Sequence, residues 1–180
     1  MDDSMNVLKG DYLPDDLEPE LVQTGVTGTV LVQARQNLEE TGWLLELANK
    51  HAFIKGVVGW LDLCSPGLYK QLEKFTAHPN LVGLRHVLQD ESDDDYMLRP
   101  DFMNGIAQLE ACGLTYDLLL FPRHLLRAVE REARERGCAK LTLEVLEGNA
   151  PARGAYEKFG FGAYQLDPAM GQAMFWQKSL

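Results

Sequence analysis

Hydrophobic positions along the chain fall into two rhythms that take turns. Short runs rich in β-branched and aromatic residues occupy residues 28–34 (GTVLVQA), 54–63 (IKGVVGWLDL), 81–88 (LVGLRHVL) and 116–121 (YDLLLF), and each predicts a strand. Between them the apolar residues return at helical spacing: Leu38, Leu44, Leu45 and Ala48 within 37–50, then Leu68, Leu72 and Phe75 behind a Ser65-Pro66 start, then Phe102, Ile106 and Leu109 within 101–112. An earlier short helix opens at Pro14, carries Leu17, Leu21 and Val22 on one face and stops at Gly25. Strand starts lie roughly 25 to 35 residues apart, the length of a strand plus a crossover helix in a parallel βα array. The run 116–121 reads as a strand buried on both faces, and Pro122 then suits the first turn of a helix striped by Leu125, Leu126, Val129 and Ala133.

Past this point the rhythm changes. Residues 140–146 (KLTLEVL) predict one more strand, Asn149 and Pro151 start a helix, and Gly160 ends it. Two last strands, 161–166 and 173–178, are separated by so short a loop that they must be antiparallel. The predicted fold is α/β: a mostly parallel open sheet of βα units, a partial barrel, finished by a strand-helix unit and an antiparallel strand pair. Five parallel strands fall short of the eight that close such a barrel. With 180 residues and 46% hydrophobic content, the chain can form one continuous domain.

Charge narrows the partners. The 27 acidic and 17 basic residues give a formal charge of -10, which repels phosphate backbones and anionic headgroups, so neither nucleic acid nor membrane is expected. The start, MDDSMNVLKG, is acidic and has no apolar leader core, which favours a cytoplasmic protein. Cys64, Cys112 and Cys138 have no CxxC spacing and sit among apolar neighbours, so they read as reduced core thiols. The acidic run 91–95 lacks the spacing and glycine of a calcium loop and reads as a solvated turn.

Residues 11–124 carry DYLPDDL, GTVLVQA, GVVGWLDL, HPNLVGLRHVLQDE, LRPDF and TYDLLLFPRH in that order, and this part resembles the amidohydrolase-related barrel hydrolases, in particular the branch acting on sugar lactones. The resemblance implies a barrel segment with substrate contacts at Arg85 and His86. It also implies a metal held by an HxH pair on the first strand, yet His51, His78, His86 and His124 are spaced too widely to form one, so no metal is expected. By strand alternation Arg85 and Asp117 can share a face and pair.

Residues 125–180 contain LEVLEGNAPARGAYEKFGF and resemble the C-terminal part of the GNAT acetyltransferases. That resemblance implies a cofactor contact at Asn149 and, at Tyr156, a phenol that protonates the departing CoA thiolate. Residue chemistry alone accounts for both differently: Asn149 as a helix N-cap and Tyr156 as an aromatic packing on Ala152 and Phe159. The family's glycine-rich pyrophosphate loop falls where this chain has LLFPRHLL, at 119–126, with no glycine between Gly113 and Gly137. A weaker anion site remains open there, with Arg123 and His124 at the positive end of the helix dipole.

The reading that follows is a fusion of a barrel-hydrolase part (1–124) and an acetyltransferase-like part (125–180) that folds but completes neither active site. Acetyl-CoA-dependent N-acetyl transfer is the alternative, and metal-dependent lactone or amide hydrolysis the second alternative. No cofactor is expected under the first reading and acetyl-CoA under the next. The open outer edge of the first strand and the former barrel-interior face, assigned to Val30, Val32, Leu61 and Leu84, predict a homodimer, with residues 1–13 folding over that surface as the alternative.

Overall fold

The computed structural model of the chain describes residues 10–162 and Ala169. Within them the secondary structure runs α1 (Pro14–Thr24), β1 (Thr29–Val32), α2 (Leu38–Lys50), β2 (Ile54–Gly59), α3 (Leu68–Thr76), β3 (Leu81–Val87), α4 (Pro100–Ala111), β4 (Thr115–Leu119), α5 (Pro122–Glu135) and α6 (Ala150–Lys158). Two single-turn 3-10 segments, Leu88–Asp90 and Tyr96–Leu98, lie between β3 and α4. The chain divides into two compact units, Met1–His124 and Leu125–Leu180.

The first unit is an open sheet of four parallel strands in the order β1-β2-β3-β4, each joined to the next through a helix. The helices α2, α3 and α4 cover one face. Leu44, Leu45 and Ala48 from α2, Leu68, Leu72 and Phe75 from α3, and Phe102 and Leu109 from α4 meet Ile54, Val57, Leu81 and Leu84 of the strands in one apolar core. The stripes read from the sequence for α2, α3 and α4 are the ones that bury, whereas on α1 only Leu21 is buried and Leu17 and Val22 are exposed. Their starts are fixed locally as well: Asn37 accepts the Glu40 N–H at 2.7 Å and caps α2, and Pro100 opens α4.

Two glycines record close approaches, one between a helix and the chain after β2 and one between neighbouring strands. A Cβ on Gly105 of α4 would come within 2.2 Å of the Leu63 carbonyl oxygen, and one on Gly83 of β3 within 2.4 Å of the Thr115 hydroxyl of β4. Thr41 ties α2 to the sheet by accepting the Trp60 N–H at 2.9 Å and donating to the Trp60 carbonyl at 2.8 Å.

The structure corrects several expectations. Leu61 and Leu84 belong to the helix-covered core, each 1% exposed, because bulges shift the strand alternation between Val57 and Val58 and between Thr29 and Val30. Helix α3 begins at Leu68 rather than behind Ser65, whose hydroxyl instead accepts the Gly67 N–H in a local turn. Strand β4 is an edge strand, so Leu118 is exposed rather than buried on both faces. Of the three cysteines only Cys64 is partly buried, while Cys112 and Cys138 are exposed.

In the second unit, α5 and α6 form as the sequence predicts, with Asn149 accepting the Ala152 N–H at 3.2 Å. Residues 140–146 pair with no strand among the described residues, and Leu125 and Val129 of α5 are exposed. The predicted hairpin of 161–166 and 173–178 lies, from residue 163 onward, outside the described residues.

Candidate functional site at the C-terminal ends of the strands

Polar side chains collect where β1, β2 and β3 end. Gln33 follows β1 directly and is completely buried. Its Nε2 donates to the Arg85 carbonyl at 3.0 Å, while an Arg85 Nη2 donates back to the Gln33 carbonyl. Since β2 lies between β1 and β3, this reciprocal pair straps across the middle strand. Beside it, Gln36 accepts the Val87 N–H at 2.9 Å. Gln33 Oε1 and Arg85 Nε remain buried without a partner.

Asp117 is the register partner of Arg85, so the two stand side by side as the sequence suggests. The guanidinium nevertheless turns towards β1, and no Arg85–Asp117 ion pair exists among the described residues. A backbone carbonyl within the sheet offers Arg85 a fixed acceptor without a second side chain having to be ordered.

His86, one position on, points into the helix-covered side and is nearly buried. Its Nδ1 accepts the Trp60 indole N–H at 3.2 Å, which leaves Nε2 to carry the proton and donate to Glu91 at 2.7 Å. Tyr96 stacks on the imidazole at a centroid distance of 5.0 Å and Phe102 meets it edge-on at 5.6 Å. Both ring nitrogens are therefore committed, and the residue pins the segment after β3 to the sheet. The Tyr96 hydroxyl lies 3.5 Å from Cys64 Sγ, and burial pushes both the phenol and the thiol upward. Burial likewise raises the Tyr116 phenol, against a smaller lowering by the His86 backbone.

The start of α5 was the candidate anion site, and the protein fills it with its own carboxylate. Asp94 accepts from Arg123 Nε at 2.8 Å and lies 3.3 Å from His124 Nε2. The Arg123 hydrogen bond, with His124 adding a smaller contribution, holds the Asp94 carboxyl below its ordinary range. His124 is 2% exposed, and its Nδ1 accepts the Phe121 N–H at 3.1 Å. Two members of the acidic run thus make specific contacts, Glu91 to His86 and Asp94 to Arg123, where a solvated turn was expected.

Tyr156 in the second unit packs edge-on against Phe161, with the ring centroids 6.0 Å apart. Asn149 caps α6. Arg85 and His86 lie in the first unit, whereas Asn149 and Tyr156 lie in the second. Sequence reasoning missed Gln33, Trp60, Glu91, Asp94 and Tyr96. Gln33 could have been found, since a polar residue ending a barrel-type strand sits where such folds place ligand contacts. The others act only across long sequence separations and leave no local pattern.

An open parallel sheet with polar strand ends defines a partial α/β barrel, and comparison with known proteins agrees. The chain is 43% identical over 122 residues to an L-fucono-1,5-lactonase of Burkholderia multivorans, covering 67% of this chain and 41% of the relative. It is 37% identical over 122 residues to the L-fucono-1,5-lactonase of Burkholderia ambifaria, covering 68% and 42%. A crystal structure of an amidohydrolase from Burkholderia multivorans with bound zinc superposes with a TM-score of 0.67 at 40% identity, over 74% of this chain and 47% of that one. The chain therefore spans less than half the length of these relatives. The acetyltransferase (GNAT) family model matches residues 123–161.

Among the described residues, neither implied cofactor meets a matching set of donors. No cluster of three or more His, Cys, Asp or Glu suited to a metal occurs among the described residues. His86 has both nitrogens engaged, and His51 and His78 precede β2 and β3, at the opposite end of the strands from Arg85. For a CoA pyrophosphate, the helix start offers Pro122 without an N–H and a Phe121 N–H already taken by His124, with Asp94 at the charged groups.

Proposed function

We propose that the chain is a fusion in which a lactonase-like part retains ligand recognition without hydrolysis, joined to an acetyltransferase-like part that lacks its pyrophosphate cradle. The ligand is a sugar acid or its lactone, of the L-fuconate type. Arg85 carries this reading. Its guanidinium stands at the C-terminal ends of the strands with a carbonyl for a partner and no carboxylate among the described residues, and its Nε is unsatisfied. A carboxylate accepts from a planar guanidinium through two parallel bonds, and a lactone carbonyl accepts through its single oxygen. Hydrolysis would need an activated water, and the donor set described above supplies no metal to activate one.

Acetyl-CoA-dependent acyl transfer is the second reading, favoured by the family match over residues 123–161. Thermal-shift titrations separate the two. L-fuconate raises the melting temperature of the wild type and not of Arg85→Met, acetyl-CoA raises neither, and lactone hydrolysis with added zinc stays at the rate without protein. Zinc-dependent hydrolysis would replace this reading with a working lactonase. Stabilisation by acetyl-CoA that Tyr156→Phe weakens would replace it with the acetyltransferase.

A further inference from the structure

Among the described residues, one face of the first unit's sheet is covered by helices, and the other is exposed at its flanks although Val58 at its centre is buried. Along β1, Leu31 packs towards the core while Val30 and Val32, pointing the other way, are 51% and 41% exposed, and Val82 on β3 is 37% exposed. Both edges are bare as well. Among the described residues β1 pairs only with β2 and β4 only with β3, and Leu118 on β4 is 64% exposed. Neither edge strand contains Pro or Lys, the residues that discourage further pairing.

We propose that two copies of the chain close one eight-stranded parallel barrel, with β4 of each copy pairing alongside β1 of the other. Symmetry selects this arrangement. Strand direction is preserved only by a two-fold axis running along the strands, and such an axis necessarily brings β4 to β1 at both junctions. An axis across the strands would instead set β1 antiparallel to β1 and leave both β4 edges open. The count also closes, since four strands from each copy make the eight of a barrel with a filled interior. The sheet already follows the course of a longer chain, for it superposes at a TM-score of 0.67 on an amidohydrolase of which it accounts for 47%. In the closed assembly Val30, Val32 and Val82 from both copies fill the interior. The two Arg85 side chains share its C-terminal mouth, so the ligand site of each copy is finished by the other. The pairing itself stands on the exposed flanks of that face and the bare edges and does not depend on the identity of that ligand.

Light scattering on the full chain at micromolar concentration tests the assembly. The expected mass is twice 20.2 kDa, and because each copy carries a formal charge of -10, the dimeric fraction rises with added salt as repulsion is screened. Val32→Asp and Leu118→Asp, both at exposed positions, each bring the mass down to 20.2 kDa with an unchanged circular dichroism spectrum. Val22→Asp on α1, at a position 79% exposed, leaves the dimer intact. A mass of 20.2 kDa for the wild type at every concentration overturns the proposal. So does a dimer that Val32→Asp dissociates and Leu118→Asp leaves untouched, which is the behaviour of β1 paired with β1. L-fuconate binding by a monomeric wild type would sink the shared barrel and leave the Arg85 reading standing.

Discussion

The two units use the same vocabulary of apolar stripes and alternating runs, and among the described residues only the first turns it into a core. Every fully buried residue among those described lies at or before His124. After it come two helices with good local signals, α5 laced by Arg131–Glu135, Arg134–Glu130 and Arg136–Glu132 pairs and α6 capped by Asn149, yet no described residue there is buried. Exposed pairs of this kind contribute little each, about 0.3–0.5 kcal/mol, so local order in the second unit is not matched by packing. The difference teaches that periodicity states what a segment can bury, and a neighbouring element decides whether it does.

The largest test of that contrast is Phe102→Ala. Phe102 is 1% exposed and touches the rings of His86, Tyr96 and Tyr116, so its removal should cost about 3–5 kcal/mol in urea unfolding. Leu146→Ser, at a position 81% exposed, should stay within about 0.5 kcal/mol of wild type. A comparable loss at Leu146 would show that the second unit has a core of its own.

Next comes Thr41→Val, which keeps the shape and strips both the Trp60 N–H and carbonyl of their partner. The expected loss is about 1–3 kcal/mol, read from the same unfolding curves. A smaller effect compares the two caps. Asn37→Ala should cost about 1 kcal/mol of global stability, because α2 is packed into the core. Asn149→Ala should lower helical content without moving the main transition. If the two variants shift that transition equally, the units unfold as one.

The last contrast is chemical. Cys112 and Cys138 are exposed and should react promptly with a thiol reagent at pH 8. Cys64, partly buried with its thiol pushed up and its sulfur against Tyr96, should lag. The lag should shrink as pH rises, since a raised pKa delays formation of the reactive thiolate. Equal rates for all three would mean that the packing around Tyr96 is loose.

The order of elements through α5, the faces of α2 to α4 and the cap at Asn149 were all legible in the residues. Each depends on interactions within a few positions of chain, where spacing and side-chain type settle the outcome. Arg85 could be picked out as a candidate because it ends a strand. Its partner could not, since choosing the Gln33 carbonyl over Asp117 depends on how β1 and β3 flank β2. The same holds for His86, whose tautomer is set by Trp60 and Glu91, and for the start of α5, where Asp94 takes the place of an external anion. The sequence by itself determined which segments could be strands and helices and which charges would need partners. Only the tertiary structure decided which partners they found, because long-range contacts follow from register, bulges and edge position, none of which a local pattern records.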